Sequence, residues 1–127
     1  MEKIKTFEDA CAALKLDPAA LPGVTGLPEK HQKAIVAHYK LIIIAEALND
    51  GWKPNWKDWD ESKYYPWFDM DNDDDDQPGS GFSYGDYGCG RTGTCLGSRL
   101  CFKTWELAEY AGKQFEELYK EYFMIFE

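Results

Sequence analysis

The sequence predicts an α+β fold: a small three-stranded antiparallel sheet packed with two N-terminal helices and one long C-terminal helix. Three observations carry this. Apolar residues recur at helical spacing toward both ends of the chain. The middle, residues 51–103, alternates instead over short stretches and is dense in aromatics and glycines. The length of 127 residues suits a single domain, 1–127. A chain of this size buries roughly two thirds of its unfolded surface, enough for a core without metal or disulfide staples. Its 44% hydrophobic and 16% aromatic content excludes wholesale disorder.

The first helix is expected over 7–16. Thr6 stands as its cap and Asp9 takes the capping-box place, although Asp is a shorter partner than the usual Glu. Phe7, Ala10, Cys11 and Leu14 would face inward, and Asp17-Pro18 stops the helix. Residues 17–27 form a Pro/Gly-rich connector. A second helix is expected over 28–49, with Pro28 as its first residue, Glu29 favouring the dipole, and Asn49-Asp50-Gly51 as the stop. Its apolar positions, among them Ile35, Leu41, Ile44 and Leu48, cover more than one stripe. Such a helix is buried on most sides or partly against another copy, so self-association through 28–49 is an expectation.

The C-terminal helix is expected over 104–124. Thr104 caps it, and Ala108, Ala111, Phe115, Leu118 and Tyr122 form an amphipathic seam. Glu109–Lys113 and Glu116–Lys120 are i,i+4 pairs on its exposed side. Gly112 costs about 1 kcal/mol relative to Ala in a helix interior, which points to a close helix crossing. Between the helices, strands are expected at 63–68, 81–87 and 98–103, with an acidic Gly/Asp-rich loop at 69–81. Pro66 confines the first strand to an edge or a bulge.

Charge narrows the function. With 14 basic against 23 acidic residues the net charge is −9, which argues against direct nucleic-acid binding and against an anionic-membrane binder, since both need a basic surface. The longest apolar run, Leu41-Ile42-Ile43-Ile44-Ala45, is far too short to span a membrane. The N-terminus shows no apolar export-signal core, so a cytoplasmic setting with reduced cysteines is expected.

Several patterns look like sites and fail on context. Cys89, Cys95 and Cys101 are spaced C-x5-C-x5-C, without the C-x2-C pairs of ordinary zinc modules. His31 and His38 lie seven apart rather than four. Asp69-Met70-Asp71-Asn72-Asp73 opens like a calcium loop, but its sixth position is Asp74 rather than Gly and its twelfth is Ser80 rather than Glu. What survives is weak, non-specific divalent-cation binding, set against a solvated, self-repelling loop. Gly88-Cys89-Gly90-Arg91-Thr92-Gly93 matches G-x-G-x-x-G, yet it leads into an expected strand instead of the helix a phosphate site requires. On strand alternation Cys101 shares a side with Arg99 and Lys103, which would favour thiolate, but no general base is placed beside it. No carboxylate pair is singled out. No catalytic residue, metal or cofactor is therefore assigned.

The densest feature is aromatic. Trp52, Trp56, Trp59, Tyr64, Tyr65, Trp67 and Phe68 fall within seventeen residues. Some must build the core of the sheet; others in the polar run Lys53–Trp59 must reach the surface, where Trp and Tyr dominate contact hot spots. Trp52, Trp56, Trp59, Tyr64 and Trp67 are the candidate protein-contact residues.

The strings Gly51-Trp52-Lys53-Pro54-Asn55-Trp56, Lys63-Tyr64-Tyr65-Pro66-Trp67-Phe68 and Ser98-Arg99-Leu100-Cys101-Phe102-Lys103-Thr104 are joined by the helix Glu106–Phe115. With Lys30-His31-Gln32-Lys33 and Ala37-His38-Tyr39-Lys40-Leu41 they cover most of the chain. In these the chain resembles a family of small uncharacterised proteins of gut Bacteroides-group genomes, prophages and related tailed phages, departing from it at 69–77. The resemblance implies no activity. It implies a phage or mobile-element setting, in the bacterial host cytoplasm or in the virion. The resulting expectation is a non-catalytic protein–protein interaction module, its partner unspecified, that binds through the aromatic surface. The alternatives are an acidic nucleic-acid mimic that blocks a host factor, and a virion structural component.

Overall fold

Thr6 opens the first helix by the reciprocal bonds its sequence promises. In the computed structural model, which describes residues 3–71 and 81–126, the Thr6 hydroxyl accepts from the Asp9 N–H at 3.0 Å. The Asp9 carboxylate accepts from the Thr6 N–H at 3.1 Å. Helix α1 runs Phe7–Leu14 and buries Phe7, Ala10 and Cys11. It ends two residues before the expected boundary because Lys15 turns left-handed (φ 58°), letting the Leu16 N–H reach back to the Cys11 carbonyl.

Helix α2 spans Glu29–Asn49, with Pro28 as its cap rather than its first residue. Its burial changes along its length more than around it. Ala37, Leu41, Ile43, Ile44, Ala45, Leu48 and Asn49 are buried, whereas Ile35 in the N-terminal part is exposed.

Strands β1 (Lys63–Asp69) and β2 (Ser83–Gly90) pair antiparallel into a two-stranded sheet. The second strand starts and ends later than the expected 81–87. Register slips between Trp67 and Phe68, leaving Gly85 as the bulged residue. The expected third strand, 98–103, is reduced to one bridge, Phe102 opposite Tyr64. Both bonds of that bridge form: Tyr64 N–H to Phe102 at 3.0 Å and Phe102 N–H to Tyr64 at 2.6 Å. Continuing the ladder would set Leu100 against Pro66, which has no N–H to give, and Thr104 against Ser62, but Thr104 is committed as a helix cap. The segment is held by a side chain instead. Buried Asn49 donates to the Cys101 carbonyl at 2.9 Å and accepts from the Lys103 N–H at 3.1 Å.

The single C-terminal helix expected over 104–124 is two helices, α3 (Trp105–Gln114) and α4 (Glu116–Phe123), broken at Phe115 (φ −113°, ψ 28°). Phe115 is buried, and its ring meets Tyr110 edge-on. The break lets α3 pack on the hairpin while α4 packs on α2. Phe68 sits where these meet, stacked on Phe82 and tilted against Tyr119, each with ring centroids 4.8 Å away. The chain start is tied to α3 by the Tyr110 hydroxyl, which donates to the Ile4 carbonyl at 2.6 Å. The expected acidic loop lies outside the described residues over 72–80.

Gly112 marks a close approach, but to the sheet and not to another helix. A Cβ there would collide with the Tyr84 ring and stand 2.8 Å from Pro66 Cβ. The hydroxyl of the same tyrosine is shut off from solvent and has no hydrogen-bond partner among the described residues. Burial foremost, with Glu109 and Asp86 nearby, pushes the Tyr84 phenol up to about 12.

Two outcomes follow from this seam. Gly112→Ala gains roughly 1 kcal/mol of helix propensity, but overpacking a tight contact costs about 1–3 kcal/mol; urea unfolding is expected to show a net loss. Tyr84→Phe removes an unpartnered hydroxyl and is expected to be neutral or stabilising at pH 7. A folded-state pKa raised from 10.0 to about 12 contributes stability that is intact below pH 10 and lost as pH climbs toward 12. Thermal melts across that interval should fall more steeply for the wild type than for Tyr84→Phe.

Candidate functional site

Side chains on a strand alternate between faces, and β1 sorts its aromatics accordingly. Tyr64, Pro66 and Phe68 face the helices: Tyr64 meets Tyr87 edge-on at 5.7 Å, Pro66 lies under Gly112, and Phe68 is core. Lys63, Tyr65 and Trp67 take the opposite, outer face. Tyr65 lies flat over Gly88, where a Cβ would come within 2.6 Å of its ring. Trp67 is 59% exposed and pairs across the sheet with exposed Asp86; Asp69 and Asp71, also exposed, extend the acidic rim beyond it.

At the other end of this face stands the loop carrying Trp56 and Trp59, anchored by Lys63. That lysine is 1% exposed. Its ammonium has three N–H donors and three backbone acceptors: the carbonyls of Asp58 at 3.2 Å, Glu61 at 2.9 Å and Arg91 at 2.5 Å. Its charge is offset by the Glu61 carboxylate at 3.4 Å and by the Trp56 ring 5.2 Å below it. The Glu61 carboxylate also accepts from the Asn55 N–H at 2.7 Å, closing the loop on itself. Trp56 is half-buried, its indole N–H donating to the Ser98 hydroxyl at 2.7 Å. Trp59 is 65% exposed; Arg91 lies over its ring at 5.8 Å and donates to its carbonyl at 3.1 Å.

The five residues singled out by sequence thus divide. Trp59 and Trp67 are exposed toward the two ends of the outer face, and Trp56 is the wedge beneath the loop. Trp52 lines a separate cleft at the end of α2. Tyr64 points to the helix side. Tyr65 belongs to the face and was not among the five. Tyr64 and Trp67 are three apart and fall on opposite sides of a strand, whereas Tyr65 and Trp67, two apart, share one; that spacing was the available signal.

The cysteines divide by burial. Cys89 and Cys95 are exposed, Cys11 and Cys101 are buried, and the described residues contain no group of three or more metal-ligating side chains. Cys101 lies in irregular chain just before the single bridge at Phe102 rather than on a strand, and its thiol donates weakly to the Ser98 carbonyl at 3.7 Å. Burial pushes that thiol up to about 11, away from the reactive thiolate. No helix among the described residues is long and apolar enough to cross a membrane. No family model matches the chain, and comparisons with curated proteins and with solved structures find no match.

Because Lys63 satisfies three carbonyls from two loops, Lys63→Met is expected to cost about 3 kcal/mol or more, the range for stranding buried partners of a charged group. Lys113→Met removes an exposed i,i+4 pair with Glu109 and a cation–π contact 5.6 Å above the Tyr84 ring, and should cost about 1 kcal/mol. Parallel urea titrations of the two variants check the contrast.

Proposed function

We propose that this chain is a non-catalytic protein–protein interaction module that binds through the outer face of the β1–β2 hairpin. The observation that carries it is the exposure of Trp67 and Trp59. They are two of the largest apolar side chains in the chain, yet they are held at the surface by a sheet and an anchored loop rather than folded inward. Exposed, rigidly mounted tryptophans are the residues that dominate contact hot spots. The rim of Asp69, Asp71 and Asp86 and the net charge of −9 call for a partner surface that is apolar at its centre and basic around it.

The phage or mobile-element setting that the family resemblance implies supports a partner among host proteins, met in the bacterial cytoplasm, with the virion as the other setting it implies. A nucleic-acid mimic would draw on the same acidity but would not need the tryptophans.

Affinity capture from nuclease-treated host lysate, with wild type and with the Trp59→Ser/Trp67→Ser double variant, tests the proposal. The expected result is a partner retained at moderate salt by the wild type and weakened at least about tenfold in the double variant, whose circular dichroism is unchanged. A partner held equally by both proteins and released between low and moderate salt would overturn it in favour of the mimic. Recovery of nothing but the chain itself would overturn it in favour of self-assembly or a virion role.

A further inference from the structure

The chain leaves α2 through two consecutive left-handed residues, Asp50 (φ 46°) and Gly51 (φ 88°). This reversal lays the segment 51–54 beside the ends of α1 and α2. Together with Ser98 and Arg99 they enclose an open cleft of about 740 Å³, within the range of small-molecule sites. Leu14, Ile42 and half-buried Trp52 supply its apolar surface.

Four charged side chains border the cleft, and they come from different elements. Glu46 and Asp50 stand four apart at the C-terminal end of α2. The helix dipole is already negative there, and the last turn contains no basic residue. Lys53 and Arg99 come from the two loops. None of the four side chains is engaged in an ion pair or a hydrogen bond among the described residues. Charges of both signs therefore line one apolar cleft without neutralising one another. The loop walls are fixed independently of any ligand: Trp56 holds Ser98, and Asn49 holds the segment from Cys101 to Lys103. A site set in advance keeps the entropic cost of binding low.

We infer that this cleft binds a small zwitterion with an apolar side chain, a free amino acid or a short peptide with free ends. The α-ammonium is placed by Glu46, Asp50 and the negative end of α2. The α-carboxylate goes to Arg99, whose planar fork suits it, with Lys53 as a second positive charge. The apolar side chain packs on Trp52 and Ile42. This site is separate from the hairpin face and does not rest on the interaction proposed for it.

The test uses the full ¹⁵N-labelled chain titrated with phenylalanine and with the dipeptide Leu-Phe, each also in N-acetylated and C-amidated form. Saturable shifts are expected at the amides of Gly51, Ser98 and Arg99 and at the Trp52 indole. Blocking either end of the ligand should weaken binding at least about tenfold. Arg99→Gln should weaken the free ligand by a similar factor and leave the C-amidated form unaffected; Glu46→Gln should do the same for the N-acetylated form. Both side chains are exposed, so neither variant threatens the fold. The tighter of phenylalanine and Leu-Phe identifies whether the source is a free amino acid or a peptide. Absence of saturable shifts at these positions up to ligand concentrations on the order of 10 mM, or equal binding of blocked and free forms, overturns the inference.

Discussion

A buried ammonium organises the part of this protein that faces outward. Lys63 begins β1 with its side chain on the outer face, and there it gathers carbonyls from residues 58 and 61 on one loop and 91 on another. Each N–H finds an acceptor, and Glu61 and the Trp56 ring offset the charge, so the cost of removing it from water is met on the spot. Without this anchor, the polar run Lys53–Ser62 would have few reasons to adopt one shape. With it, Trp56 is seated, Trp59 is held against Arg91, and the loop after β2 is tied to the loop before β1.

The inner face obeys a different constraint, that of close approach. Gly112 lets α3 come down onto Pro66 and Tyr84. The Glu116 carboxylate then accepts from the Tyr84 N–H at 3.0 Å, carrying the contact into the first turn of α4. Phe115 breaks the helix between these two points. A straight helix over 104–124 would present one stripe to one neighbour. The broken pair serves two, with α3 on the sheet and α4 on α2, and Phe68, Phe82 and Tyr119 fill the corner. Pro66 does two jobs here: it lies under Gly112, and it ends the pairing of β1 with residues 100–102.

How far the candidate surface was legible in the sequence follows from these contacts. That Trp59 and Trp67 reach the surface is legible, because the run around Trp59 is polar and Trp67 follows Pro66, which confines its strand to an edge or a bulge. That Trp52 turns into a cleft is not, because it depends on two left-handed residues and on Arg99, distant in the chain. That Tyr64 faces the helices while Tyr65 shares the outer face with Trp67 follows from strand alternation once the strand begins at Lys63. Lys63 was invisible as an anchor: a lysine at a strand end reads as solvated, and only the carbonyls that converge on it from residues 58, 61 and 91 say otherwise.

The sequence by itself determined those features whose causes lie within about one helical turn or one strand pair. Thr6 and Thr104 cap helices through bonds to residues three positions on, the Asn49-Asp50-Gly51 stop ends α2, and alternation marks the hairpin. Tertiary structure decided what depended on a distant partner. Residues 98–103 had the pattern of a strand, but Pro66 and the Thr104 cap left room for one bridge, and Asn49 took over the remaining polar groups across more than fifty residues of chain. The seam of 104–124 had the period of one helix, but two separate surfaces, the hairpin and α2, each required covering, and the chain broke at Phe115 to cover both. A periodic pattern states that a face will be buried; the number and direction of the surfaces that bury it are set only when the rest of the chain is in place.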